Sequence, residues 1–223
     1  MFTRKGNGGS NPSPSANAVG PSLAMFSRLL IRGRALERNL LLFLAGMALL
    51  GVSGGMMETT FNNYVSDTFN LGADARGLLE FPRELPGFLT ALFAGLLFFL
   101  PETRIAGFSA LAVGLGMLGL AWIGPRWTAM LVFLTLWSTG VHLIMPVRSS
   151  VSMELAVPTQ RGRRMGQIAA TTMAASIVGC ALVWIAMRWL RADYRLIFIL
   201  GGLASVLAAA FFFAMRLPNA HLQ

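Results

Sequence analysis

Polar and apolar positions along this chain come in blocks rather than in residue-by-residue alternation. After an opening stretch rich in Gly, Ser, Asn and Pro, six apolar runs follow at about 39–63, 75–99, 104–123, 127–149, 164–188 and 194–216. Each is near the roughly 20 residues a helix needs to cross the hydrocarbon core of a bilayer. The breaks between them are brief and carry turn residues: Asp67, Asn70, Gly72 and Asp74; Pro101 to Arg104; Gly124 to Arg126; Pro158 to Arg163; Arg191 to Asp193. Connections this short place neighbouring helices side by side and antiparallel. Asp74 is positioned to cap the second helix through its side-chain oxygen. The pattern predicts an all-α membrane protein whose six transmembrane helices occupy residues 39–216.

The flanks read differently. Residues 1–22 hold too little apolar surface to offset the entropy of ordering them and are expected to be a disordered leader without signal-peptide regions; Met25 is a second candidate initiator. Residues 23–38 set Arg28, Arg32, Arg34 and Arg38 beside Leu29, Leu30, Ile31 and Leu36, a basic amphipathic juxtamembrane segment suited to an anionic membrane face. Residues 217–223 form a short polar tail. With the N-terminus inside, eleven basic residues fall on the inner side and five on the outer, so both termini are expected in the cytoplasm. Trp122, Trp127, Trp184 and Trp189 then lie near the outer ends of helices, where amphipathic indoles favour the interface.

Composition sharpens this picture. Apolar residues make up 55% of the chain and charged residues 12%, about half the charged share of a soluble domain. The net charge of +9 sits in short clusters between apolar runs, which is a topology signal and not a nucleic-acid footprint. One cysteine, Cys180, excludes an internal disulfide, and two histidines leave no zinc spacing. No nucleophile and base are spaced for catalysis, so neither an enzyme nor a cofactor is expected. The lipid bilayer is the one partner that composition implies directly.

Inside the runs, ionisable residues need a reason, because one at the bilayer centre costs roughly 2.5 to 3.5 kcal/mol on insertion scales. Glu58 lies about 28 Å along the first helix from Asn39, and Arg83 about 13 Å into the second, so an outward and an inward helix bring them to similar depth. Glu80, Arg83, Glu84 and Gly87 are spaced to share one face. Pro82 and Pro86 are expected to bend or unwind that helix. Trp137 and His142 stand at mid-depth on the fourth helix, while Asn62 and Asn63 offer amides on the first. Together Glu58, Asn62, Asn63, Glu80, Arg83, Glu84, Trp137 and His142 are the candidate wall of a solute or proton pathway. Arg104, Arg148, Glu154 and Arg161 are candidates for a cytoplasmic gate.

Each of these residues has a plainer reading. Glu80, Arg83 and Glu84 can serve as a structural charge cluster, and His142 as a satisfied interior group. Thr171, Thr172 and Ser176 can bond to the preceding turn of their own helix. The arginines near the inner ends can be topology signals alone. Small residues four apart, such as Gly51 with Gly55, and Ala106 with Ala110 and Gly114, predict close helix packing. Helices 3 and 6, free of charge between their ends, read as outer supports for helices 1, 2, 4 and 5.

Six helices with both ends inside, a tight second connection, Arg148 at the inner end of helix 4, and Pro158, Arg161, Gly162, Arg163, Arg164 and Gly166 leading into helix 5 resemble the N-terminal half of a major facilitator superfamily transporter. The resemblance covers about residues 35–216. The family signature between helices 2 and 3 is matched by Gly95 and Leu97, while Phe99 stands at its acidic position and its basic cluster is reduced to Arg104. The resemblance implies two three-helix repeats, location in the inner cell membrane, a small-molecule substrate and alternating access. Members generally have twelve helices, so it also implies a second six-helix lobe, from a homodimer or from another chain. Burial disfavours a charged carboxylate, which makes Glu58 or Glu84 a candidate proton carrier. The rival expectation is a truncated or non-transporting membrane scaffold that binds a partner.

Overall fold

The structure, a computed structural model, describes residues 23–72, 75, 77–96, 99–122 and 126–217. The expected leader, the Asp74 cap and the tail beyond Leu217 lie outside the described residues. The chain divides into two units, Met1–Ala35 and Leu36–Gln223. In the first, residues 23–35 are helical. The second contains the bundle.

Six long helices are present among the described residues: α1 (Leu23–Phe69), α2 (Glu80–Leu96), α3 (Glu102–Trp122), α4 (Trp127–Glu154), α5 (Arg161–Trp189) and α6 (Tyr194–Ala214). No strand occurs among the described residues. Among the described residues five segments are long and apolar enough to cross a membrane: Leu36–Phe69, Glu102–Trp122, Trp127–Glu154, Pro158–Trp189 and Tyr194–Ala214. The chain is therefore an all-helical protein with the character of a multi-pass membrane protein. α2, at 17 residues, is the short member of the set.

The boundaries differ from the hydropathy pattern for local reasons. α1 continues to Phe69 because Tyr64 and Val65 extend its buried face beyond Asn63, and it stops where Asn70 takes a left-handed φ of 53°. Ala75 and Gly77 are helical where the second run was expected to begin, a turn at Leu78 and Leu79 follows, and α2 itself begins at Glu80. Pro82 thus falls in the first turn, where its missing N–H has no intrahelical partner to lose, and Pro86 alone interrupts the helix interior. α4 runs on to Glu154 because Val151 and Leu155 remain buried while Ser149 and Ser152 turn their hydroxyls back to the carbonyls of Met145 and Arg148. A 3₁₀ turn, Pro158–Gln160, leads into α5. Asp193 caps α6, its Oδ1 accepting from the Leu196 N–H at 2.9 Å.

α3 packs on both α4 and α6 and is the most enclosed of the apolar segments. The expectation of α3 as an outer support is therefore corrected: its small residues let neighbours approach from more than one side. A side chain on Gly140 of α4 would strike the Ser109 carbonyl, and one on Gly114 would come within 2.9 Å of the Gly202 carbonyl on α6. α1 and α5 are equally close, since Gly55 faces the Ser176 carbonyl and Gly179 the Val52 carbonyl. α5 is the least covered segment.

Two apolar cores stack along the bundle. One gathers Phe61, Tyr64, Leu134, Trp137 and Phe198; the other gathers Phe43, Ile144, Val151, Ile168 and Phe212. Between them Ser205 Oγ donates to Ser53 Oγ at 2.7 Å, and Ser53 to the Met117 sulfur at 3.1 Å. At one end, the buried Asn39 closes α1 onto the end of α6 by exchanging two hydrogen bonds with the Arg216 backbone, 2.9 and 3.1 Å long. At the other, Tyr194 donates to Asp67, Phe69 meets Trp127, and Arg195 lies 4.6 Å over Trp122. All four expected tryptophans are exposed at this second end.

Candidate functional site

α1, α2 and α4 meet at a cluster of ionisable side chains. Arg83 of α2 pairs with Glu58 of α1, joining the two residues that helix depth alone placed at one level. The same guanidinium reaches Glu80 Oε1 at 3.5 Å, one turn earlier on its own helix. It also lies 5.6 Å over the indole of Trp137 on α4, while the Ser138 hydroxyl donates to the Arg83 carbonyl. Arg83 is consequently held from three helices.

One turn along α2, Glu84 Oε2 stands 3.5 Å from His142 Nε2. Gly87 makes this possible, because a Cβ there would lie 2.9 Å from the His142 ring. The face shared by Glu80, Arg83, Glu84 and Gly87 therefore meets two other helices. The cluster sets three carboxylates against one guanidinium and one imidazole. Its carboxylates are open rather than sealed: the side chains of Glu58, Glu80 and Glu84 are 52%, 54% and 53% exposed, against 20% for Arg83.

Two hollows border the cluster. A narrow crevice is lined by Glu58, Asn62 and Arg83 with Met57, Phe61 and Trp137. A second cavity, of about 190 Å³, runs between α1 and α4, with Glu58 and Arg148 both among its lining residues and Thr172 of α5 at its side. Trp137 lines both, and its indole N–H, deeply buried, has no hydrogen-bond partner among the described residues.

Other expected site residues are placed differently. Asn63 turns its amide back to the Thr59 carbonyl at 3.3 Å and does not join the crevice. Of the arginines expected at a gate, Arg104 and Arg161 are exposed and unpaired among the described residues, and Arg148 faces the cavity. Thr171 and Thr172 donate to the carbonyls one turn back, both at 2.9 Å, as their plainer reading has it. Ser138, Met57 and Phe61 were not among the expected site residues. Met57 and Phe61 carry a signal in their spacing, since they lie beside and one turn beyond Glu58 on α1.

Compared with known protein families and with curated proteins, the chain matches none.

Proposed function

We propose that this chain is one six-helix lobe of a secondary active transporter of the major facilitator type, which moves a small solute across the inner cell membrane. In this reading α2 is the sixth span, α1 to α3 and α4 to α6 are two three-helix repeats, and both termini are cytoplasmic. At 17 residues α2 spans about 25 Å, close to the roughly 30 Å hydrocarbon thickness.

The observation that carries the proposal is the half-exposed charge cluster. Ionised carboxylates on membrane-spanning helices cannot be left against acyl chains, yet Glu58, Glu80 and Glu84 are half exposed, and Glu58 borders both hollows. A water-filled pathway closed by a second lobe satisfies both facts. The cavity supports this, because about 190 Å³ falls short of the roughly 300 to 1,000 Å³ of a complete small-molecule site. A copy of this chain or another chain supplies the opposing wall, with the Pro86 interruption in α2 as a hinge. Glu58 or Glu84 carries the proton if transport is proton-coupled.

The ion pairs within the bundle favour a second reading, a non-transporting scaffold whose cluster simply ties α1, α2 and α4 together. Uptake of a solute panel into proteoliposomes, with and without a pH gradient, separates the two. Transport predicts uptake by the wild type and its loss in Glu58→Gln, Glu84→Gln and Arg83→Ala variants that still purify as folded protein. Uptake unchanged by all three would remove the cluster from the mechanism.

A further inference from the structure

The cavity between α1 and α4 has an order along its length. Its α1 wall is Met47, Leu50, Gly54 and Glu58; its α4 wall includes Trp137, Val141, Ile144 and Arg148. Both sets recur at helical spacing, so each is a single face. Both run over a separation of eleven positions, or about 16 Å of helix axis. The two helices run in opposite directions, so Glu58 lies at the Trp137 end and Arg148 at the Met47 end. Between the charged ends the walls are almost wholly apolar.

The two ends differ in sign. At one end the lining carboxylate, Glu58, belongs to the adjoining cluster in which three carboxylates share one guanidinium and one imidazole, an excess of negative charge when His142 is neutral. At the other end Arg148 is partly buried and forms no ion pair among the described residues. An unpaired guanidinium beside apolar walls favours a counter-charge, which the Glu58 carboxylate cannot supply from across the cavity.

Building on the transporter reading, we propose that the solute is an elongated zwitterion: a cationic group at the Glu58 end, an unbranched apolar body along the α1 and α4 walls, and a carboxylate or similar anion on Arg148. A compact amino acid brings its two charges too close together to reach both ends. A simple organic cation leaves Arg148 unmatched, and a simple anion leaves the acidic end unmatched. Arg148 is then a specificity-determining residue for substrate length and not a gate ion pair.

Calorimetric titration of the full chain in nanodiscs tests this with a homologous series of unbranched α,ω-amino carboxylic acids, alongside the alkylamine and alkyl carboxylate of each length. The expected result is an affinity maximum at one chain length, about tenfold or more above either monofunctional analogue. Arg148→Gln should remove the advantage of the carboxylate and the length optimum while leaving alkylamine binding, and Arg148→Lys should restore part of both. Glu58→Gln should remove the advantage of the amine. Equal affinity for mono- and bifunctional ligands overturns the proposal, as does an absence of binding by every member to monodisperse wild-type protein; neither result needs a variant to fold. Uptake of some other solute without binding of this series would sink the zwitterion and leave the transporter standing. Length-selective binding without uptake of any solute would do the reverse.

Discussion

Removing the Arg83 guanidinium distinguishes a wet cluster from a dry one by the size of its effect. Arg83→Gln keeps much of the side-chain volume and deprives Glu58 and Glu80 of their shared partner. Arg83 is 20% exposed but its partners are 52% and 54% exposed, so water screens both interactions. Exposed pairs contribute about 0.2 to 1 kcal/mol each, which gives an expected loss of about 0.4 to 2 kcal/mol for the two. If the carboxylates faced lipid, each one left without a counter-charge would add roughly 2.5 to 3.5 kcal/mol, for a total above about 5 kcal/mol. The gap is wide enough for equilibrium unfolding in mixed micelles or nanodiscs to resolve. A loss of 1 kcal/mol corresponds to about 2 to 4 °C in Tm for a chain of this size. A double-mutant cycle with Glu58→Gln should return a coupling of about 0.5 to 1 kcal/mol. A loss above about 5 kcal/mol would place the carboxylates against acyl chains and refute the wet pathway, while zero coupling would refute the ion pair itself.

Three further outcomes follow from the packing. Gly55→Ala aims a methyl group at the Ser176 backbone carbonyl, which cannot swing aside, so α1 and α5 must separate at a cost of about 1 to 3 kcal/mol, read as a lower Tm. Gly87→Ala meets the edge of a movable ring instead, so stability should fall by less than about 1 kcal/mol while His142 is pushed from Glu84; unchanged NMR chemical shifts of the His142 ring would contradict this. Asn39→Ala removes both hydrogen bonds that join α1 to the end of α6 and should cost about 1 to 3 kcal/mol, with faster amide exchange at Arg216 as the local signature.

Much of the architecture was legible in the residue order, because the solvent for which these helices are built imposes a simple requirement. A backbone in hydrocarbon must satisfy its own hydrogen bonds, so runs of about 20 apolar residues have few alternatives to helix. The short connections then dictate the antiparallel order, and a constant rise per residue was enough to bring Glu58 level with Arg83 before any contact was known. The small residues likewise announced close packing, though not against which neighbour.

What residue order could not decide is which face of each helix turns toward which partner. That choice depends on how three or more helices fill space together, and single-helix periodicity contains no information about it. Tertiary packing alone sets His142 against Glu84 over Gly87, encloses α3 where an outer support was expected, and turns Asn63 back onto its own helix. It also opens Arg148 onto the same cavity as Glu58, across about three turns of two different helices, where residue order offered a gate ion pair or a topology signal. The composition of the helices required that their ionised groups find company; the crossing of α1, α2 and α4 chose it.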